Sequence, residues 1–322
     1  MEFDLIERIR RRVPARADVV LGIGDDAAIV QLPPGQQLVI ATDTLNAGVH
    51  FPEGTAAADI GWKALAVNLS DLAAMGAQPA WCTLGLSLPR SDAVWLDGFL
   101  GGFLELAALH EVALIGGDTT SGPLSIGVTV HGLIAPGKAL RRDGARVGDD
   151  VWVSGTLGDA AGALHRLQSA CADSAQADDD HRALQRRLDR PSPRVATGLS
   201  LVGIANACID ISDGLLADLG HLCSASGVAA QVRLADLPTS SQLKSAFDAD
   251  LRATLQATGG DDYELCFTAP SAQRDAIQQL ACRNGTPLTR IGSIRAGSGV
   301  RAMTADGEIW PPPRAGYEHF AG

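Results

Sequence analysis

The sequence predicts a mixed α/β (α+β) fold divided into two domains. Three observations lead there. The chain has 322 residues, long for a single hydrophobic core. Apolar strand-like runs alternate with segments of helical period along its length. Residues 136 to 150, "PGKALRRDGARVGDD", break that alternation with a polar, turn-rich stretch that reads as a junction. The predicted domains are therefore residues 1–138 and 139–322.

Taken in order, "MEFDLIERIRRRV" places Phe3, Ile6, Ile9 and Val13 on one helical stripe and its arginines on a solvated face. "QQLVIATDT" reads as a strand running into a loop. "DIGWKALAVNLSDLAAMG" reads as a helix with the stripe Trp62, Leu65, Ala66, Leu69, Leu72 and Ala73, stopped by Gly76 with Pro79 beyond. "ALIGGDTT" and "SIGVTVHGLIA" read as strands around a loop. After the junction, "DVWVSGTLGDAAGALHRL" reads as strand, glycine loop and helix. Residues 170 to 182 read as a variable surface loop. "NACIDISDGLLADLGHLCSASG" predicts a strand, Ser212 as N-cap, a helix burying Leu215, Leu216, Leu219 and Leu222, and closure at Gly227.

Composition narrows the function. The net charge of −11 disfavours nucleic acid and anionic membranes as partners. An acidic protein that handles a polyanion needs positive charge from elsewhere, and divalent metal is the obvious source. The six cysteines show no CxxC or Cys/His ligand spacing, so they read as buried apolar residues in a reducing compartment. There is no apolar leader core and no run near the ~18 residues that span a bilayer, so the expected location is the cytoplasm.

One pattern recurs. Apolar runs end in an aspartate: "GIGDD" at 22–26, "ATDT" at 41–44, "GGDTT" at 116–120, "CIDISDG" at 208–214 and "GGDDYE" at 259–264. Each alone is an ordinary turn, since aspartate bonds its own backbone. Together they suit a cation site, because carboxylates are the hard oxygen ligands Mg²⁺ prefers and glycine lets a ligand approach the backbone. Asp71 lies opposite the stripe of its helix, with Asn68 one turn earlier on the same side. A solvated face and a metal site both fit that pair. "GLIAPGKA", 132–139, has P-loop spacing but ends in Ala139 where Ser or Thr would hold Mg²⁺. "SGTLGDAAGAL", 154–164, is a glycine loop entering a helix, which can bind phosphate through N–H groups. No nucleophile elbow, HExxH or Ser/His/Asp signature is present, so covalent catalysis has no candidate.

Seven stretches together resemble the thiamine-monophosphate kinase family, within the superfamily of aminoimidazole ribonucleotide synthetase and selenophosphate synthetase. They are "GIGDDAAIV", "TDTLNAGVHF", "KALAVNLSDLAAMGAQP", "LIGGDTTSGPLSI", "IDISDGLLADLGHL", "GGDDYELCF" and the closing "GYEHF". The resemblance implies ATP-dependent phosphorylation of thiamine monophosphate to thiamine diphosphate, with several Mg²⁺ ions. By that resemblance Asp26, Asp43, Asp71, Asp118 and Asp210 are metal ligands, helped by Thr42, with Asp213 at a further metal position. Gly117, Asp118, Arg142 and Ser212 match nucleotide contacts; His50, Asp261 and Tyr317 match substrate contacts. Two departures stand out. Ala41 replaces a hydroxyl residue often found before "TDT", and GGDD replaces GGED, which shortens the reach of Asp261 by a methylene. The family fold further implies a homodimer whose first domains share a barrel. The first domain would carry metal, ATP and the dimer contact, and the second would complete the nucleotide and substrate site.

The implied acceptor is a phosphate monoester, already ionised and in need of no general base. Charge repulsion opposes the reaction, at about 4 kcal/mol per pair of unit charges ~4 Å apart with an effective dielectric of 20. Metal ions held by the aspartates would neutralise both partners for direct, in-line transfer. Tyr317 and Trp310 are candidates to stack on the cationic thiazolium, a contact of about 0.5–2 kcal/mol. Trp310 also fits simple cover over a loop. Selenophosphate synthetases carry a reactive residue near the N-terminus, whereas the first cysteine here is Cys82. Hydrogenase-maturation relatives end in cysteine, whereas this chain ends "EHFAG". A non-catalytic nucleotide sensor would need fewer carboxylates.

Overall fold

The computed structural model describes residues 2–169, 179–313 and 316–317. Cys171, most of the expected surface loop at 170–182, and the last residues of "GYEHF" lie outside them, as does the side chain of Phe3. The fold is mixed α/β, in two compact units: Met1–Leu72 with Ala77–Lys138, and Ala73–Gly76 with Ala139–Gly322. No described helix is long and apolar enough to cross a membrane.

The first unit runs α1 (Glu2–Arg12), β1 (Val19–Leu21), β2 (Ile29–Val30), β3 (Gln37–Asn46), α2 (Ala57–Ala74), β4 (Gln78–Leu88), α3 (Ala93–Leu109), β5 (Ala113–Ser121) and β6 (Ser125–Ile134). Its main sheet has the order β3-β6-β4-β5, with only β4 and β5 parallel. β3 pairs with β6 without interruption from Gln37↔Ile134 to Asn46↔Ser125. That ladder carries "ATDT" inside the strand, where the sequence suggested a loop. α2 follows its apolar pattern and stops at Gly76, whose φ of 66° lets its N–H reach the Ala73 carbonyl at 3.0 Å. The helix is buried on nearly every side, Asn68 and Ser70 included. The side bearing Asn68 is therefore not a solvated face, and near its start α2 lies close against α3: a Cβ on Gly102 would lie 1.7 Å from the Ala58 carbonyl oxygen.

The second unit runs β7 (Asp150–Ser154), α4 (Asp159–Gln168), α5 (Asp179–Asp189), α6 (Val195–Leu201), β8 (Ala207–Ile211), α7 (Leu215–Ser226), β9 (Ala229–Arg233), α8 (Ser241–Ala246), α9 (Ala249–Thr258), β10 (Glu264–Ala269), α10 (Arg274–Asn284), β11 (Leu288–Arg295), β12 (Gly299–Met303) and β13 (Ile309–Trp310). Its sheet has the order β13-β12-β9-β11-β7-β10-β8, antiparallel except β12 beside β9. Val151, Val153, Ile209 and Ile211 pack against Leu215, Leu219 and Leu222 of α7 in one core, which Trp310 partly covers. Trp310 thus covers a core from the edge strand β13, not a loop. Each buried leucine there contributes roughly 1.5–3 kcal/mol. Cys82, Cys208, Cys223 and Cys266 are buried free thiols, but Cys282 is exposed, against the expectation of burial.

Candidate functional site

In the second unit the last strand residue of interest, Asp210, is buried at the end of β8. The chain then turns through Ser212, Asp213 and Gly214 before α7. Gly214, not Ser212, is the N-cap, and its φ of 124° is one that only glycine adopts freely. No hydroxyl caps this helix. Instead, one carboxylate oxygen of Asp218 accepts the N–H groups of Ser212, Asp213 and Gly214 at 3.1, 3.1 and 3.0 Å. Burial, and then the charges of Asp210 and Asp213, push the Asp218 carboxyl up to about 7. Sequence reasoning missed Asp218. A signal existed: it sits three residues after Leu215, on the stripe that continues to Leu219 and Leu222, where a charge has no business unless bonded.

A second loop is fastened to the first. The Asp261 N–H donates to the Ser212 carbonyl at 2.9 Å, and the Tyr263 N–H to that of Ile211 at 2.8 Å. Gly260 permits this, since a Cβ there would meet the Ser212 oxygen at 2.5 Å. The Tyr317 N–H donates to the Asp213 carbonyl at 3.0 Å. Ser212, Asp213, Asp261 and Tyr317, drawn from three distant stretches of sequence, are thus held together by backbone bonds. Asp261 and Tyr263 both have left-handed backbones, φ 69° and 49°. Each such non-glycine residue costs about 1–2 kcal/mol.

Beneath that loop lies a buried ionic network. The Asp262 carboxylate accepts the Gly158 N–H at 3.0 and 2.9 Å. It therefore takes the N–H of the N-cap of α4, within the glycine loop where "SGTLGDAAGAL" suggested a phosphate. Burial holds the Asp262 carboxyl well above the usual range. Glu264, fully buried, accepts Ser154 Oγ at 2.6 Å, Arg187 at 2.8 Å and the fork of Arg194. Arg142 is exposed; the preceding Arg141 carbonyl accepts the Cys208 N–H at 3.0 Å, which pins this segment beside β8.

In the first unit the strands themselves place the candidates. Asp43 pairs with Val128, Val128 with Leu84, and Leu84 with Gly117, in one row across the sheet. Asp118 follows on β5, exposed, next to a Gly117 whose φ is 148°. Asn68 Oδ1 accepts the Asp43 N–H at 2.9 Å, and its amide donates to the Ala64 carbonyl at 3.0 Å. Asn68 is thus a buried support for β3, with Asp71 half-buried one turn on. Thr42 turns to the opposite face from Asp43 by the strand's alternation. Its hydroxyl donates to the Val128 carbonyl at 3.0 Å and accepts from Thr129 at 3.1 Å. Asp25 accepts the Asp26 N–H at 2.8 Å, and both aspartates are exposed. His50 Nδ1 accepts the Asn46 N–H at 3.0 Å, which places the neutral ring's proton on Nε2.

Among the described residues no three His, Cys, Asp or Glu side chains form a ready cage for a metal. Magnesium does not require one. It binds one or two carboxylates, keeps water and takes the rest from substrate phosphates. The donors fit it: all are oxygen, and the crowding of Asp210, Asp213 and Asp218 is what a nearby cation relieves.

Residues 24–134 match the AIR synthase related protein N-terminal domain, and residues 146–304 match its C-terminal domain. The thiamine-monophosphate kinase of Escherichia coli (strain K12) is 46% identical over 321 residues, covering 99% of this chain and 98% of that protein. The crystal structure of thiamine-monophosphate kinase from Stenotrophomonas maltophilia K279a aligns with a TM-score of 0.89 at 56% identity, over 96% of this chain and 98% of that one. AaThiL complexed with AMPPCP and TMP aligns with a TM-score of 0.79 at 33% identity, over 99% of this chain and 97% of that one. Matched from end to end by such relatives, with both halves of the domain pair present, the chain belongs to the thiamine-monophosphate kinase family.

Proposed function

We propose that the chain transfers the γ-phosphoryl group of ATP to thiamine monophosphate, giving ADP and thiamine diphosphate in thiamine diphosphate biosynthesis. The observation that carries this reading is the fastening of the Ser212–Gly214 and Gly260–Tyr263 loops to each other and to Tyr317. The fastening sets a nucleotide candidate, a metal candidate and two substrate candidates side by side. The complex of AaThiL with AMPPCP and TMP supports the same pair of ligands.

The chain's own contribution is binding and orientation. Ser212, Arg142, Gly117 and Asp118 contact the nucleotide. His50, Asp261 and Tyr317 contact thiamine monophosphate, with the exposed Tyr317 ring as the face for its cationic thiazolium. Asp26, Asp43, Asp71, Asp118, Asp210 and Asp213 would hold Mg²⁺; the Thr42 hydroxyl, bonded on the face opposite Asp43, is left out of that set. When bound, the metal neutralises phosphate charge and polarises the transferred group. The acceptor oxygen arrives ionised, so no side chain has to remove a proton, and transfer is direct and in line. Residues 1–138 carry the first set of carboxylates and residues 139–322 the second. A homodimer built on the first domain fits the exposed Leu38 and Ile40 of the edge strand β3, which a second copy would cover. The free thiols fit the cytoplasm.

The test is formation of ADP and thiamine diphosphate from ATP, thiamine monophosphate and Mg²⁺ by the purified protein. Turnover with equal rates in the absence of thiamine monophosphate sinks the reading. A phosphoryl-enzyme trapped with labelled ATP sinks direct transfer.

A further inference from the structure

We infer that Asp262 is a positioning residue: it fixes the left-handed turn that presents Asp261 to the thiamine substrate. This rests on the substrate role proposed for Asp261. Along residues 261 to 264, burial alternates. Asp261 and Tyr263 are half-buried, while Asp262 and Glu264 are 2% and 0% exposed. The two partly exposed residues are the two with positive φ, 69° and 49°. A backbone strained on both sides of one residue needs that residue held. Both oxygens of Asp262 lie at 3.0 and 2.9 Å from the Gly158 N–H, which ties the turn to the first residues of α4. Behind it, Glu264 is clamped by Arg187 and Arg194. In front, the Asp261 and Tyr263 N–H groups bond the carbonyls of Ser212 and Ile211. The turn is gripped from both sides, and Asp262 is the grip on the α4 side.

The position also bears on specificity. Asp261 is one methylene shorter than the glutamate its relatives often carry, so its reach depends more on where its Cα is set. Asp262 sets it.

The experiment is a set of steady-state measurements on Asp262→Asn, Asp262→Ala, Asp261→Ala and the Asp261→Ala/Asp262→Asn double variant, with each substrate varied in turn. A shift of one KM alone reports lost contact with that substrate. The Asn variant should raise KM for thiamine monophosphate about tenfold, and the Ala variant about a hundredfold, with KM for ATP changed less than about threefold. If the Ala variant does not fold, the Asn variant decides, because it folds with one oxygen on the Gly158 N–H and gives up the second of the two contacts. An Asn variant with wild-type KM for thiamine monophosphate, or with both KM values raised equally, overturns the inference. The double variant should be no worse than Asp261→Ala alone; effects that multiply also overturn it. If Asp261→Ala leaves KM for thiamine monophosphate unchanged, the substrate role of Asp261 fails instead.

Discussion

Asn68 and Asp218 do the same job in the two units by different means. Each is a buried polar side chain that holds the backbone of a candidate metal residue. Asn68 is a neutral amide that accepts one N–H, that of Asp43. Asp218 is a carboxylate that accepts three, from Ser212, Asp213 and Gly214. The reason lies in what each backbone lacks. Asp43 is on a strand already paired with β6, so only the N–H at the open edge needs a partner. The 212–214 turn leaves a row of N–H groups pointing inward with no ladder to meet them. An anion is the economical answer to several converging donors. At Asp262 a buried carboxyl likewise holds a loop, by the N–H of Gly158 at the N-cap of α4. Candidate residues on strands are placed by register; those on loops need a dedicated buried charge.

Substitutions at four positions break or sharpen that contrast, in falling order of effect. Glu264→Ala leaves Arg187 and Arg194 beside an empty buried site and should destabilise the second unit by about 3–5 kcal/mol, read by chemical denaturation. Asp218→Ala should lower kcat/KM about a hundredfold, or about 2.7 kcal/mol, because the turn loses its acceptor. Asp218→Asn keeps an acceptor oxygen and should lie between the two in a parallel assay. Asn68→Ala should cost about 1–2 kcal/mol of stability, since one N–H loses its partner, with a smaller fall in activity than at Asp218. If Asn68→Ala proved the worse of the two, the contrast between neutral and charged supports would collapse.

The fourth concerns pH. The Arg274 guanidinium, with Arg290 behind it, holds the Asp150 carboxyl below the usual range. A carboxyl lowered in the folded state adds stability above its unfolded value of about 4, and that contribution is lost as pH falls through the folded value. Asp150→Asn should therefore flatten the acid side of the stability curve. The change should stay under about 1 kcal/mol, because the arginine side chains are 47% and 41% exposed. A melting curve followed from pH 7 to 2.5 (roughly the window below neutrality in which aspartates titrate) measures it.

Much of the fold was legible because it is written in short-range signals. The left-handed glycines at 76 and 227 end α2 and α7 where the sequence puts them. Strand, glycine loop and helix follow one another from Asp150 to Gln168. What was not legible depends on partners far along the chain. Asp43 read as part of a loop after its strand, yet it lies inside β3 opposite Val128. Ser212 looked like a cap because hydroxyls usually are. The true acceptor, Asp218, comes after the helix has begun, where acidic residues look like surface. Asn68 fitted a solvated face or a metal site alike; it is buried, and its amide oxygen meets the Asp43 N–H of β3, a partner 25 residues away. Of the site itself, the sequence showed the residue types and the family resemblance supplied their roles. The bonds that tie Ser212, Asp213, Asp261 and Tyr317 together became visible only in three dimensions.

The N-terminus of α4 carries one last consequence. A helix start normally competes for any anion in solution. Here the competitor is attached to the same chain, at an effective concentration that a free phosphate at cellular levels cannot match. In an enzyme that works among nucleotides and phosphate esters, the N-cap N–H of this helix is already taken. A phosphate arriving near the Gly260–Tyr263 turn meets one fewer decoy, and selectivity begins with a site that has been closed.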